Sequence, residues 1–420
     1  MMTRLSTWLS ASIAAITFLF CAPLPASAAE TEVVIGAIYP LSGQAAQVGV
    51  DARVAMETAA DIINNSYDLD LPLARTAGLP NLGGAKLRLV WADHQADPQK
   101  GRAEAERLIT QEKVAALVGT YYSSVAAVVG QVADRYNVPF VVVDSSSPSL
   151  TRQGFRWLFR ISPHDEMMST AMFEFLKELD AAKHIGVRSV ALFHEDTLFG
   201  TDSSNAQLKL AKEAGIKVAA DVKYRANSPS LTSEVETLKV ANADVLMPTS
   251  YVNDAILLIK TMSELGYHPQ AIIAQDAGYT EPSFLSAVGD MANGIISRGS
   301  FSLDLAAKRP AVKIVNEMYK KRSGKDLTEN TAKELMGLLV LADAINRAGS
   351  TKNEAIRAAL ETTDLPGDKT IFPWPGVKFD ATGQNTLATP IMVQFIDGQW
   401  RTIWPFRVAS HDVIWPMGKK

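Results

Sequence analysis

The sequence predicts an α/β protein with two lobes, each built on a doubly wound, mostly parallel sheet. Short apolar runs rich in β-branched residues alternate with stretches of helical periodicity along most of the chain. Such runs are typical of strands that are buried on both faces of a parallel sheet. The alternation restarts after Pro163, and 420 residues are enough for two domains.

The N-terminus has the features of an export signal. Arg4 provides a positive charge, residues 8–20 form an apolar run too short for a comfortable membrane span, and residues 26–28 match a small-residue cleavage site. Cleavage after Ala28 would leave 420 − 28 = 392 residues without cysteine, because Cys21 is the only one. A disulfide, a thiolate nucleophile and a cysteine-bound metal are therefore excluded from the mature chain.

The charge balance of the mature chain argues against two classes of partner. Removing Arg4 leaves 41 − 1 = 40 basic residues against 45 acidic ones, a net charge of −5. This mild acidity disfavours nucleic acid and anionic membranes as partners. No later segment reaches about 18 consecutive apolar residues, so we expect the mature protein to be soluble.

Periodicity predicts the order of the elements. Strands are expected at 33–38, 86–92, 114–118, 139–143, 187–194, 217–222, 244–248 and 271–274. Helices are expected at 49–64, 97–109, 124–136, 168–179, 203–214, 231–241, 253–265, 328–348 and 353–360. Asp97-Pro98 predicts a helix N-cap, and Asp397-Gly398 predicts a hairpin turn. Residues 66–84, rich in Leu, Pro and Gly, indicate a surface excursion.

Two serine-rich loops each follow a buried strand. One contains Tyr122 and Ser123 before a helix, and the other contains Ser145, Ser146 and Ser147. A helix N-terminus has unpaired N–H groups and the positive end of the helix dipole. Hydroxyls beside it suit a carboxylate or similar anion without any cationic side chain.

Signs of catalysis are absent from the sequence. It contains no G-x-S-x-G elbow, no H-E-x-x-H motif and no P-loop, and its six histidines are scattered. Gly83-Gly84 precedes a strand rather than following one, so it does not match the dinucleotide-binding fingerprint. We therefore expect a binding protein that has neither cofactor nor metal, and not an enzyme.

Five segments in order resemble the branched-chain amino-acid-binding (Leu/Ile/Val-binding-like) family of periplasmic receptors, the type I solute-binding proteins of ABC transporters. The segments are VVIGAIYPLSG (33–43), ADHQADPQKGRAEAERLI (92–109), VGTYYSSV (118–125), DSSSPSLTRQGFRWLFRISP (144–163) and FHEDTLFG (193–200). The resemblance implies two lobes joined by three crossings and closing around a ligand. The lobes implied are 29–162 with 300–376 and 163–299 with 377–420, with crossings near 161–163, 299–301 and 377–380.

The resemblance also implies a function and a site. The protein would receive an amino acid, branched-chain or otherwise apolar, for an inner-membrane ABC permease. Lobe 1 would hold the ligand carboxylate and lobe 2 would cover the ligand and meet its ammonium, through Tyr122, Ser123, Ser145, Ser146, Phe199, Tyr251 and Asp276. At Asp276 many relatives have glutamate, which is one methylene longer.

Several alternatives stay open on the sequence. The ligand could be an aromatic or other organic carboxylate without an amine, and a secreted hydrolase is a rival of another class. Transport and sensing are not distinguished. Tyr121 and Tyr122 either narrow the pocket or stack on a ring, whereas Val48, where some relatives have tyrosine, would enlarge it.

Overall fold

The chain forms two α/β lobes. A computed structural model describes residues 32–306 and 309–418, so the expected signal peptide at 1–28 lies outside the described residues. The strands are β1 (Glu32–Tyr39), β2 (Lys86–Asp93), β3 (Ala116–Gly119), β4 (Phe140–Val142), β5 (Leu158–Arg160), β6 (Ser189–Glu195), β7 (Lys217–Tyr224), β8 (Val245–Thr249), β9 (Ala271–Ala274), β10 (Ile296–Gly299), β11 (Asp364–Pro366), β12 (Gly376–Lys378), β13 (Ile391–Ile396) and β14 (Gln399–Trp404).

Helices cover both faces of the sheets. They are α1 (Ala46–Asn64), α2 (Pro98–Thr110), α3 (Ser123–Tyr136), α4 (Asp165–Lys183), α5 (Leu198–Ala214), α6 (Thr232–Ala241), α7 (Val252–Glu264), α8 (Pro282–Val288), α9 (Leu303–Ala306), α10 (Pro310–Ser323), α11 (Glu329–Ala348) and α12 (Asn353–Glu361). Within the described ranges, none is both long and apolar enough to cross a membrane.

The two main sheets have the predicted, mostly parallel topology. The first has the order β2-β1-β3-β4-β5 and only parallel pairs. The second has the order β14-β13-β10-β9-β8-β6-β7, in which β13 is antiparallel to both of its neighbours. A short antiparallel pair, β11-β12, follows α12. Parallel strands end at one edge of a sheet, so their loops gather there, which is where ligands bind in open α/β sheets.

Two local predictions are confirmed by geometry. The Asp97 carboxylate accepts hydrogen bonds from the backbone N–H groups of Gln99 and Lys100, and Pro98 begins α2. Asp397 and Gly398 both have positive φ angles, 49° and 78°, between the paired β13 and β14. These angles fit the two-residue turn that Asp-Gly favours because its twist matches the strands.

The interpretation of residues 66–84 as a surface excursion is wrong in part. Leu69, Leu71 and Leu79 are buried and pack in the first core with residues of α1. The segment therefore covers apolar surface of the first lobe before β2 begins.

Buried contacts favour a third crossing that lies later than the resemblance implied. Val377, Phe379 and Ala388 are buried in the first core. The side-chain amide of Asn385 donates to the Ile161 carbonyl at 2.9 Å, which ties the segment beside β5. The chain joins the second sheet only at β13. We therefore propose lobes of 32–162 with 300–389 and 163–299 with 390–418, instead of a boundary after Gly376.

Helix α11 joins the first core to the cleft. Its middle is buried against the first sheet, and Gly337 lies so close to Val143 that an added Cβ would be 2.1 Å from the Val143 Cγ1 atom. Its first two turns carry buried polar residues: Glu329, Asn330, Lys333 and Glu334. Close packing by glycine thus brings these groups to the edge where the parallel strands end.

Gly337→Ala should lower the free energy of unfolding by about 1–3 kcal/mol, because the methyl group overlaps Val143. Urea denaturation measures the loss. Val143→Ala serves as the partner variant, since it removes the overlapping atom at the cost of a small cavity. The double variant should be more stable than the sum of the two losses predicts, and strict additivity would contradict the overlap.

Candidate ligand-binding site

The two serine loops lie side by side in the first lobe. One connects β3 to α3 and the other follows β4, and these strands are neighbours in the sheet. The Ser145 backbone N–H donates to the Thr120 carbonyl at 3.2 Å, and the Ser147 N–H donates to the Ser123 hydroxyl at 3.3 Å. Together they form one rigid rim around the N-terminus of α3.

The serines differ in the direction of their hydroxyls. Ser145 donates its hydroxyl to the Thr120 carbonyl at 2.8 Å and does not line the cavity. The Ser147 hydroxyl donates to Asp202 of the second lobe. Ser123 and Ser146 line the cavity. The expectation that the Ser145 side chain faces the ligand is therefore corrected, because the loop itself uses the Ser145 hydroxyl, whereas the Ser146 hydroxyl bonds to the Asp165 carboxyl beside the cavity.

Aromatic rings from both lobes meet across the cleft. Tyr251 has ring centroids 4.3 Å from Tyr122, 5.3 Å from Tyr121 and 5.1 Å from Phe199. Val48 packs in the same cluster. The sequence left open whether the tyrosines narrow the pocket. The Tyr121 ring packs in this cluster beside the small Val48 side chain.

Asp276 lines the cavity but already has partners. It follows β9, is 1% exposed, and accepts a hydrogen bond from Arg298 Nη1 at 2.9 Å and another from the Thr280 hydroxyl. Arg298 lies on β10 and also reaches Glu329 Oε1 at 3.4 Å. The predicted ammonium acceptor is thus part of a buried ion-pair network, which lowers the cost of placing it in the interior.

Helix α11 contributes a second group of charges. Lys333 Nζ lies 2.6 Å from Asp144 Oδ1 and 3.2 Å from Glu329 Oε1. The Asn330 side-chain amide donates to Glu281 Oε1 at 2.6 Å, a bond between lobes. Sequence reasoning missed these residues. The available signal was the occurrence of polar residues at helical spacing in an otherwise apolar helix.

Burial shifts the carboxyl groups of this network towards their neutral forms. It raises the pKa of Glu281 to about 8, with the hydrogen bond from Asn330 opposing it. It raises the pKa of Glu329 to about 7, with Asp276 adding to the shift and Lys333 opposing it. Burial opposes the charge of Lys333, but its carboxylate neighbours prevail and raise its pKa. The cations therefore stay charged while some of the acids gain protons.

The enclosed space is small. Residues of both lobes surround a cavity of about 10 Å³: Tyr121, Ser123, Asp144, Ser146, Phe199, Tyr251, Asp276, Ala277, Arg298, Asn330 and Lys333. A larger cavity of about 520 Å³ lies beside it, near α8 and β14. There Lys325 pairs with Asp51 at 2.8 Å. We take the smaller cavity as the candidate site, because the predicted loops and the buried charges converge on it.

Comparison with known proteins identifies the family. The family model described as "Periplasmic binding protein" matches residues 32–399. The chain belongs to this family. The periplasmic binding proteins are solute-binding receptors, which confirms both the resemblance and the prediction that the chain is not an enzyme. Membership also implies a periplasmic location.

Individual relatives cover nearly the whole chain. Leu/Ile/Val-binding protein homolog 7 of Brucella suis biovar 1 (strain 1330) is 28% identical over 407 residues, covering 93% of this chain and 96% of the relative. The leucine-binding protein LivK from Thermotoga maritima has a TM-score of 0.75 at 23% identity, covering 88% of this chain and 97% of that one. A solute-binding protein from Rhodopseudomonas palustris BisB5, in complex with 3,4-dihydroxybenzoic acid, has a TM-score of 0.74 at 18% identity, covering 93% and 100%. These structures confirm the two-lobed type I fold.

Glu281 gives the site a pH-dependent stability. Its folded pKa of about 8 exceeds the ordinary 4.5, so the folded state holds a proton that the unfolded state has lost between these pH values. Its contribution to stability is complete below pH 4.5 and is lost as the pH rises to about 8. Glu281→Gln should therefore match the wild type at pH 4 and be more stable at pH 8.5 by on the order of 1–4 kcal/mol.

Thermal unfolding at several pH values measures this difference. The exposed Glu264 on α7 offers the matched control. Its Gln variant should follow the wild-type pH profile. A stability profile of Glu281→Gln that runs parallel to the wild type from pH 4 to 8.5 would contradict the raised pKa of Glu281.

Proposed function

We propose that the protein is the receptor of an ABC importer for an amino acid and binds it by hinge closure. The observation that carries the proposal is the convergence of both lobes on one cavity. The first lobe presents the N-terminus of α3 with Ser123 and Ser146, and the second presents Asp276. These are complementary ends for a zwitterion.

The carboxylate end would lie at the serine loops. The backbone N–H groups that begin α3 have no helical partners, and the helix dipole favours negative charge there. Among the cavity-lining residues, each of the two cations already pairs with a carboxylate. The neutral donors of the loops are therefore the available partners for a ligand carboxylate.

The charge balance of the lining residues favours an amine on the ligand. Asp144 and Asp276 balance Lys333 and Arg298 among the lining residues. Glu329, which contacts both cations, adds negative charge when ionised. An acid without an amine would bring one further negative charge into this interior, whereas a zwitterion brings none.

An aromatic carboxylate without an amine is the second candidate. Four rings border the cavity region: Tyr121, Tyr122, Phe199 and Tyr251. Rings that contact each other at 4.3 to 5.3 Å could instead stack on an aromatic ligand. The neighbouring fold with bound 3,4-dihydroxybenzoic acid is consistent with this reading.

Closure would use contacts that exist only when the lobes meet. Ser147 donates to Asp202, Asn330 donates to Glu281, and Arg298 pairs with Glu329, each across the cleft. Ligand contacts made from both sides would add to these and shift the population towards the closed form. The inner-membrane permease would recognise that form, after export directed by residues 1–28 and cleavage after Ala28.

A calorimetric panel on denatured and refolded protein tests the ligand class. It compares leucine, phenylalanine, asparagine and threonine with 4-hydroxybenzoate and 3,4-dihydroxybenzoate. Ligand at 100 times its Kd should stabilise the protein by about 2.7 kcal/mol in a thermal-shift assay. Amino acids should bind and the amine-free acids should not.

Asp276→Asn should shift the preference away from amino acids and towards amine-free acids. Loss of the carboxylate should weaken amino-acid binding by about tenfold or more, since it removes a charged acceptor. It also leaves Arg298 less neutralised, so amine-free acids should bind more tightly. Asp254→Asn is the matched control, because Asp254 is buried, accepts from the Asn227 N–H and does not line the cavity. Tight binding of amine-free acids to the wild type, unchanged in Asp276→Asn, would exclude the amino-acid proposal.

A further inference from the structure

Much of the cavity lining is polar rather than apolar. Arg298, Asn330, Lys333, Asp144 and Asp276 all line the cavity, and we call them its charged wall. In a receptor built for an aliphatic side chain, burial of apolar area would provide the affinity. Here an alkyl group would face buried charges. Binding of that alkyl group would remove no apolar surface of this wall from water.

Among the lining residues, three buried polar atoms have no partner within the described chain: the acceptor Asp144 Oδ2 and two donors, on Tyr121 and Arg298. The Tyr121 hydroxyl from the first lobe and the Arg298 Nε–H from the second are both enclosed and unbonded. Burial raises the pKa of Tyr121, so its phenol keeps its proton and can donate. Both groups can therefore donate a hydrogen bond, and both residues line the same cavity. Buried donors without acceptors are rare and cost about 1–3 kcal/mol each.

We infer that the ligand is an amino acid whose side chain is small, uncharged and ends in an oxygen acceptor, such as a hydroxyl or a carboxamide. Tyr121 and Arg298 donate hydrogen bonds to that oxygen and act as specificity-determining residues. The inference rests on the proposed amino-acid function and names the side chain that the same site selects. The inferred ligand differs from the expected branched-chain or other apolar amino acid in the end of the side chain, which would face α11.

Charge and space narrow the side chain further. The lining carboxylates already balance Arg298 and Lys333, so an acidic side chain would leave an unpaired negative charge. The aromatic rings leave a cavity of only about 10 Å³, so a small side chain needs less separation of the lobes than a large one. A leucine side chain would need more room and would leave both donors unpaired. Sites built to bond a polar group reject the analogue that lacks it far more strongly than apolar sites reject an extra methylene.

Isosteric amino acids test the inference on the wild-type protein. Threonine and valine differ by a hydroxyl in place of a methyl, while asparagine, aspartate and leucine have nearly the same shape. Calorimetry should give at least about tenfold tighter binding of threonine than valine, or of asparagine than leucine, with asparagine above aspartate.

The variant Tyr121→Phe removes one donor at nearly constant volume. It should reduce the preference for the polar member of each pair by about tenfold. Tyr267→Phe is the matched control, because the Tyr267 hydroxyl is also buried without a partner but lies in the second-lobe core. This control should leave the preference unchanged.

The outcomes separate the two proposals. Valine and leucine binding at least as tightly as their polar isosteres would overturn this inference while amino-acid binding stands. Aspartate binding more tightly than asparagine would overturn the uncharged side chain. Binding of no amino acid at millimolar concentration would overturn this inference together with the proposed function. The wild-type panel decides these cases even if Tyr121→Phe fails to fold.

Discussion

The contact between Arg298 and Glu329 joins the lobes at the floor of the cleft. Arg298 Nη1 lies 3.4 Å from Glu329 Oε1 and 2.9 Å from Asp276 Oδ2, and all three side chains are almost fully buried. A buried charge is tolerated only when it is paired, so each member of the network offsets the desolvation cost of the others. The network thereby links the closure of the two lobes to the charge balance of the pocket.

This constraint explains the composition of α11. The helix is apolar where it packs on the first sheet, yet its first turns contain Glu329, Asn330, Lys333 and Glu334, all buried. Lys333 extends the network to Asp144 in the first lobe, and Asn330 connects to Glu281 in the second. Burial then raises the pKa of Glu281 and of Glu329. The cleft floor consequently responds to protons near neutral pH.

Local sequence signals predicted most of the fold. Strand β9 and the start of α12 are found where the sequence placed them, because a short apolar run and a helical periodicity are both readable locally. Strand β10 was missed because the polar residues Ser297 and Arg298 interrupt its apolar pattern. The third crossing depends on the long-range bond from Asn385 to Ile161, which no local pattern reveals. Likewise, the direction of the Ser145 hydroxyl depends on a tertiary bond to Thr120.

The aromatic cover and the charged floor act together on selectivity. Tyr121, Tyr122, Phe199 and Tyr251 exclude water from the cleft, and in that low-dielectric interior each charge interacts more strongly than at a surface. A ligand's net charge then matters more than its apolar area. The cations of the cleft floor are already paired with carboxylates. An added anion therefore loses its hydration without gaining an unpaired cation as a partner. The rings therefore increase the discrimination that the ion pairs provide.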